Sequence, residues 1–185
     1  MKFVPSKIIG CYNIFPDFHC DLRGTLVKTL HANTFEDAGL CYTFKEQYYS
    51  KSNKGVVRGL HFQTPPYDHA KLIYCIFGEV MDAVVDLRLG SPTYGKNYCT
   101  TLSANKGNMI YIPQGVAHGF CTTNKAATLV YNVTTVYNPS YDAGIRWDTA
   151  GISWPVDEPH ISDRDLNLPT LSDFVSPFIF NADVK

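Results

Sequence analysis

Apolar and β-branched residues fall in short runs, at 25–30, 43–49, 56–62, 72–87, 98–102, 109–112 and 127–136. Glycine, proline and asparagine punctuate most of the gaps, a pattern that predicts an all-β sandwich or barrel with few long helices. The longest run is interrupted at Phe77-Gly78-Glu79-Val80, where a bend or hairpin is expected rather than one continuous strand. In the run 127–136, strand alternation places Tyr131, Val133 and Thr135 on one face. From Asn138 onward Pro139, Pro155, Pro159, Pro169 and Pro177 break the pattern, so this tail is expected to wrap the barrel as loops and short helical turns.

A chain of 185 residues suits one domain spanning 1–185, with 172–185 as a C-terminal extension. With 45% hydrophobic and 14% aromatic residues it is too apolar to be disordered. Sixteen basic residues against seventeen acidic ones leave a net charge of −1 with no basic run, which excludes an electrostatic footprint for nucleic acid. Any acidic ligand must be caught by a local cluster. No stretch approaches the roughly 20 apolar residues of a membrane span, and no leader-like apolar run opens the chain. The expected location is the cytoplasm. Cys11, Cys20, Cys41, Cys75, Cys99 and Cys121 are scattered, without a C-x-x-C pair, and read as reduced packing residues rather than zinc ligands.

Residues 107–118, Gly-Asn-Met-Ile-Tyr-Ile-Pro-Gln-Gly-Val-Ala-His, fit G-x5-P-x-G-x2-H, the second motif of the cupin jelly rolls, at every fixed position. A modified first motif runs from Gly55 to Gly78. Gly55 and His61 fit, but Gln63 stands where a second histidine belongs, Lys71 replaces a glutamate, and the loop between them is lengthened. An ammonium cannot ligate a cation and a carboxamide is a poor transition-metal ligand. The resemblance therefore implies a cupin-type jelly-roll β-barrel whose pocket holds no metal. A lone strand lysine is ordinarily a surface residue. In this motif Lys71 can instead supply a fixed positive charge in a dry pocket, stabilising an enolate much as a Lewis acid does.

A second resemblance is longer and ordered. Val57-Arg58-Gly59-Leu60-His61-Phe62-Gln63, Ala70-Lys71-Leu72 and Val85-Asp86-Leu87-Arg88 belong to it, as do Tyr131-Asn-Val-Thr134 and Ile161-Ser162-Asp-Arg-Asp165. Over roughly residues 10–172 the chain resembles the dTDP-4-dehydrorhamnose 3,5-epimerase family. The resemblance implies inversion of stereocentres beside the C4 ketone of a nucleoside-diphosphate 4-keto-6-deoxyhexose, with no cofactor. Such a reaction needs a base, an enolate stabiliser and an acid on the opposite face. The resemblance assigns His61 as base with Asp165 as its partner, Lys71 as stabiliser and Tyr131 as acid. Arg164 stands where the family has a lysine beside the aspartate, a change expected to leave the dyad undisturbed. Arg23 and Arg58 take the diphosphate-binding positions, where guanidinium forks suit the anion. His118 is expected near the pocket as a substrate contact or a support for His61, Tyr137 near the sugar, and Gln47 on the nucleotide side. On a regular strand Arg58 and His61, three apart, face opposite ways; Gly59 offers a bulge.

Three departures fall on segments that meet the nucleotide in the family. His19 stands where a phenylalanine usually stacks on thymine, Lys28 replaces a glutamate, and Tyr49 replaces the asparagine of a Q-x-N pair. They open the possibility of another base, cytidine first, and of inversion at C3 or C5 alone. The segment carrying His19 and Arg23 crosses to a partner subunit in the family, which implies a homodimer. A metal-dependent cupin enzyme and a non-catalytic sugar-binding cupin are the readings from other classes.

Overall fold

The computed structural model describes residues 1–182; the last three residues of the 172–185 extension lie outside it. Thirteen strands run in chain order as β1 Lys2–Pro5, β2 Tyr12–Phe15, β3 Phe18–Asp21, β4 Gly24–Val27, β5 Glu46–Ser52, β6 Val57–Gln63, β7 Lys71–Phe77, β8 Glu79–Asp86, β9 Asn97–Ser103, β10 Met109–Ile112, β11 Val116–Thr122, β12 Ala127–Val133 and β13 Asp142–Gly144. Two short helices accompany them, α1 Ala32–Asp37 and α2 Asp163–Leu166. One antiparallel sheet has six strands in the order β1-β2-β10-β7-β12-β5 and the other five in the order β13-β6-β11-β8-β9. The two face each other as the cupin-type jelly roll that the motifs implied. The hairpin β3-β4 pairs with neither sheet.

Alternation along the strands builds three apolar layers. Between the sheets lie Ile73 and Cys75 of β7, Val84 of β8, Phe120 of β11 and Leu129 and Tyr131 of β12. Their sequence neighbours Val85 and Ala117 point the other way, into a cluster with Leu60, Phe62, Ile145 and Phe178 that the C-terminal tail covers. On the outside of the six-stranded sheet, Ile14, Leu72 and Met109 are covered by Phe35 of α1 and by Leu40. Helix α1 lies outside the tail, to which helical turns had been assigned. Gly78, at φ +75°, separates β7 from β8 at the expected break. Strands β1, β2, β3, β11 and β13 fall outside the apolar runs: β1 and β3 bury no residue, and the apolar positions of β2, β11 and β13 are interleaved with Asn13, His118, Gly119 and Asp142.

Candidate active site

A cavity of about 300 Å³ opens between the sheets, lined by His61, Gln63, His69, Lys71, Tyr137 and Asp142 among others. Strand β6 carries His61, whose Nε2 lies 2.7 Å from Asp165 Oδ1. Asp165 comes from the distant tail on α2, capped by Ser162, whose Oγ accepts from the Asp165 N–H at 3.2 Å. The second carboxylate oxygen accepts from the Gly59 N–H at 3.2 Å. Burial alone would raise this carboxyl; the His61 hydrogen bond and charge, the Gly59 N–H and Arg164 outweigh it and hold it below the usual range. An ionised carboxylate fixes the histidine's Nε2 as a donor and leaves the other ring nitrogen for chemistry.

The bulge at Gly59 puts Arg58 and His61 on one face. His61 lies across from His118 and Arg58 across from Phe120, with the register shifting between the two pairs, so three steps on β6 match two on β11. Cross-strand partners share a face, and Phe120 belongs to the core between the sheets. Arg58 accordingly lies on the face toward the other sheet, exposed at its rim, and its Nε donates to Ser52 Oγ of β5 at 2.9 Å. Gly59 has φ +126° and a cis peptide bond to Leu60. A Cβ there would lie 2.6 Å from Gly119 Cα, so the pinch requires glycine. Arg58 lines a neighbouring cavity of about 250 Å³ with Ser162 and Asp165, not the one that His61 lines.

Lys71 opens β7, is only 5% exposed, and donates from Nζ to the His61 carbonyl at 3.0 Å. Burial pulls the ammonium down to about 8 against the opposing pull of Asp142 and Asp82. Two of its three protons are left for the cavity. Gln63, at the altered ligand position, organises the lengthened loop: Nε2 donates to the carbonyls of Tyr67 at 2.9 Å and Val136 at 3.2 Å, while Oε1 accepts from Asn138 N–H at 2.6 Å. Among the described residues no three His, Cys, Asp or Glu side chains converge on a possible ion.

His118 is buried, and its Nε2 is engaged by Asp82 Oδ2 at 2.7 Å. It is absent from the cavity lining, and as the cross-strand partner of His61 it is placed to support that residue, the second of its two expected roles. Asp82 Oδ1 is buried without a partner, and burial pushes its carboxyl up and the His118 imidazole down.

Tyr131 rises from β12, in the sheet facing His61, with its hydroxyl 3.1 Å from Ser50 Oγ. Its ring stacks on Tyr48 at 4.7 Å with a 12° tilt, and Tyr48, not Tyr131, lines the cavity. Burial raises the Tyr131 hydroxyl far above the ordinary phenol value. Tyr48 is pushed up to about 12 by its buried surroundings, then by Glu46 and Asp142. On β5 the inward positions are thus Glu46 and Tyr48. Gln47 faces out, donating from Nε2 to Asn132 Oδ1 at 2.6 Å, and Tyr49 is also exposed; the nucleotide-side role expected of Gln47 is not available within this cavity. Tyr137 does line it, its hydroxyl donating to Asp142 Oδ2 at 3.2 Å. Arg164 also reaches the cavity wall and pairs with Asp142 at 2.8 Å.

The remaining expected residues lie elsewhere. Arg23, at the tip of the β3-β4 hairpin, has a side chain 91% exposed and pairs with Asp21 at 2.5 Å. His19 and Lys28 line a separate depression with Asp17, His31 and Thr34. Their segment pairs with neither sheet of its own chain, and none of the three lines the cavity of His61. Sequence reasoning missed Tyr48, His69, Asp142 and Glu46 in the cavity wall. A strand register for β5 would have found Tyr48 and Glu46; His69 and Asp142 carried no periodic signal.

Comparison with known proteins accords with this geometry. The sequence profile of the dTDP-4-dehydrorhamnose 3,5-epimerase family matches residues 5–173. The chain is 41% identical over 170 residues to a dTDP-4-dehydrorhamnose 3,5-epimerase of Shigella flexneri, covering 90% of this chain and 94% of that one. It is 36% identical to a dTDP-4-dehydrorhamnose 3-epimerase of Streptomyces niveus, covering 94% of this chain and 85% of that one. The crystal structure of a dTDP-6-deoxy-D-glucose-3,5-epimerase of Legionella pneumophila in complex with dTDP-4-keto-L-rhamnose superposes with a TM-score of 0.92 at 30% identity, covering 97% of this chain and 99% of that one. By profile, sequence and fold together, this chain belongs to the dTDP-4-dehydrorhamnose 3,5-epimerase family.

Proposed function

We propose that the protein epimerises C3 and C5 of a dTDP-linked 4-keto-6-deoxyhexose by proton abstraction and reprotonation from the opposite face, without a cofactor. The observation that carries this reading is the joining of base and cation in one cavity: His61 is bonded to Asp165, and buried Lys71 is bonded to the His61 backbone. His61 removes the proton α to the ketone, worth roughly 10²–10⁴ in rate. The free Lys71 protons meet the C4 oxygen as it becomes an enolate, a stabilisation of a few kcal/mol in such a dry site. Lys71 and Gln63 at two cupin ligand positions, the latter's amide consumed by its loop, suit this charge-based chemistry better than metal ligation.

The acid is Tyr131. It stands on the sheet opposite His61, behind Tyr48, so the returning proton arrives from the other side of the sugar ring. Arg58 binds the diphosphate, aided by Arg23 of a second copy. A homodimer is favoured by the unpaired hairpin and by exposed Phe18, Leu22 and Leu26 on it and Tyr49 and Ile76 on the six-stranded sheet. Six free thiols suit a reducing, cytoplasmic setting.

The named relatives include both double- and single-centre epimerases, so inversion at C3 alone is the second reading. Incubation in D2O with dTDP-4-keto-6-deoxyglucose, and with its CDP counterpart, counts the deuterons entering C3 and C5. Deuterium at both positions of the dTDP sugar is expected. Label at C3 alone selects the second reading, preference for the CDP sugar reassigns the base, and no label in either sugar overturns the assignment.

A further inference from the structure

His69 sits in the lengthened loop before β7 and lines the cavity beside Lys71 and His61. Its Nδ1 is 3.2 Å from Thr135 Oγ1 and 3.2 Å from Gln63 Nε2. Those neighbours are already committed as donors. The Thr135 hydroxyl donates to Tyr67 O at 2.7 Å; Gln63 Nε2 also lies 3.4 Å from Thr135 Oγ1, but its two protons have the stronger carbonyl acceptors of Tyr67 at 2.9 Å and Val136 at 3.2 Å. The network therefore assigns the proton to Nδ1, which donates to Thr135 Oγ1. The other ring nitrogen, Nε2, is left as a bare acceptor and makes no hydrogen bond to a described residue. Burial, reinforced by the Lys71 charge, draws the imidazole down to about 3, so it stays neutral.

The other acceptors in the wall are carboxylates already engaged. Glu46 Oε2 receives the Tyr137 N–H at 2.6 Å, and Asp142 receives the Tyr137 hydroxyl and Arg164. A further carboxylate beside Lys71 would quench the charge that an enolate needs, whereas a neutral nitrogen accepts a hydroxyl without doing so. A 4-keto-6-deoxyhexose carries free ring hydroxyls only at C2 and C3. The C3 hydroxyl is adjacent to the carbonyl that Lys71 holds.

Building on the epimerase reading, we propose that His69 Nε2 accepts a hydrogen bond from the 3-hydroxyl of the sugar and so orients the ring for proton transfer. The test compares α-deuteration in D2O, summed over C3 and C5, for the dTDP-4-keto-6-deoxy sugar and its 3-deoxy analogue. His69→Phe keeps a flat ring and removes the acceptor. It is expected to slow the 3-hydroxy sugar about tenfold in kcat/KM and to leave the 3-deoxy sugar within about twofold of the native enzyme. Equal losses on both sugars, or no loss on either, overturn the proposal. Nitrogen-15 spectra of the native protein test it without any variant. An unprotonated Nε2 whose signal moves with the 3-hydroxy sugar but not with the 3-deoxy sugar is expected, and an Nε2–H tautomer overturns it. A native enzyme that labels neither sugar would instead overturn the epimerase reading itself.

Discussion

Lys71 reaches an ammonium pKa of about 8 because burial outweighs the pull of Asp142 and Asp82. A lysine depressed in this way holds its proton below that value and loses it as pH rises through it, so the charge is present at neutral pH. In the free enzyme kcat/KM is expected to fall by about tenfold per pH unit above roughly pH 8, and Lys71→Met should abolish the limb along with most of the activity. A profile level to pH 10 would remove Lys71 from the mechanism. At the acid, two rings compete. His61→Asn and Tyr131→Phe should each lower the rate of epimerisation, read as inverted product, by at least about 100-fold, with Tyr48→Phe costing far less. The reverse ranking of the two tyrosines would transfer the acid role to Tyr48, which lines the cavity while Tyr131 lies beneath it. His61, Lys71 and Asp165 were legible in the sequence because each occupies a place in an ordered motif. His69 was not, since an imidazole in a loop gains its meaning only from its contacts with Gln63 and Thr135.

Among the elements, β6 is the one whose irregularity serves the site. Its bulge needs two glycines facing each other, and a Cβ on Gly119 would lie 2.7 Å from the Arg58 carbonyl. Gly119→Ala is expected to destabilise the fold by about 1–3 kcal/mol, read as a lower urea midpoint, and to cut turnover further because Arg58 and His61 no longer share a face. Unchanged midpoint and turnover would show that the bulge does not govern the site. Strand existence was readable in the sequence: residues 109–112 coincide with β10, and the break at Gly78 with the β7–β8 junction. Strand phase was less so. The apolar run 43–49 begins before β5 and covers only its first four residues, so it does not fix which side chains of β5 face the cavity, and a one-residue slip exchanges the faces of a strand. Strand β11 was hidden because its buried face is broken by His118 and Gly119, residues kept there by the Asp82 pair and the Gly59 pinch.

For the whole molecule, a single chain holds the proton-transfer groups but leaves Arg23, His19 and Lys28 away from them. If a second copy completes the site, Arg23→Ala should raise KM without moving the melting temperature, since the side chain is 91% exposed. Mixing Arg23→Ala and His61→Asn proteins under conditions of subunit exchange should then restore activity, because one site of each hybrid has both native residues. No recovery in a hybrid confirmed by mass spectrometry would place Arg23 outside the site. The sequence implies such a division of labour only through the family likeness, because composition and spacing are silent on which copy a hairpin serves.

The hairpin β3-β4 pairs with neither sheet of its own chain, and Phe18 near its base lies against Gly107. Replacements at its exposed tip, Leu22 and Arg23, therefore carry little folding penalty, while those beside Gly59 and Gly119 are constrained by backbone contact. The tip can thus change at almost no thermodynamic risk, which makes it evolvable ground in a chain whose β6–β11 pinch is fixed by close backbone contact.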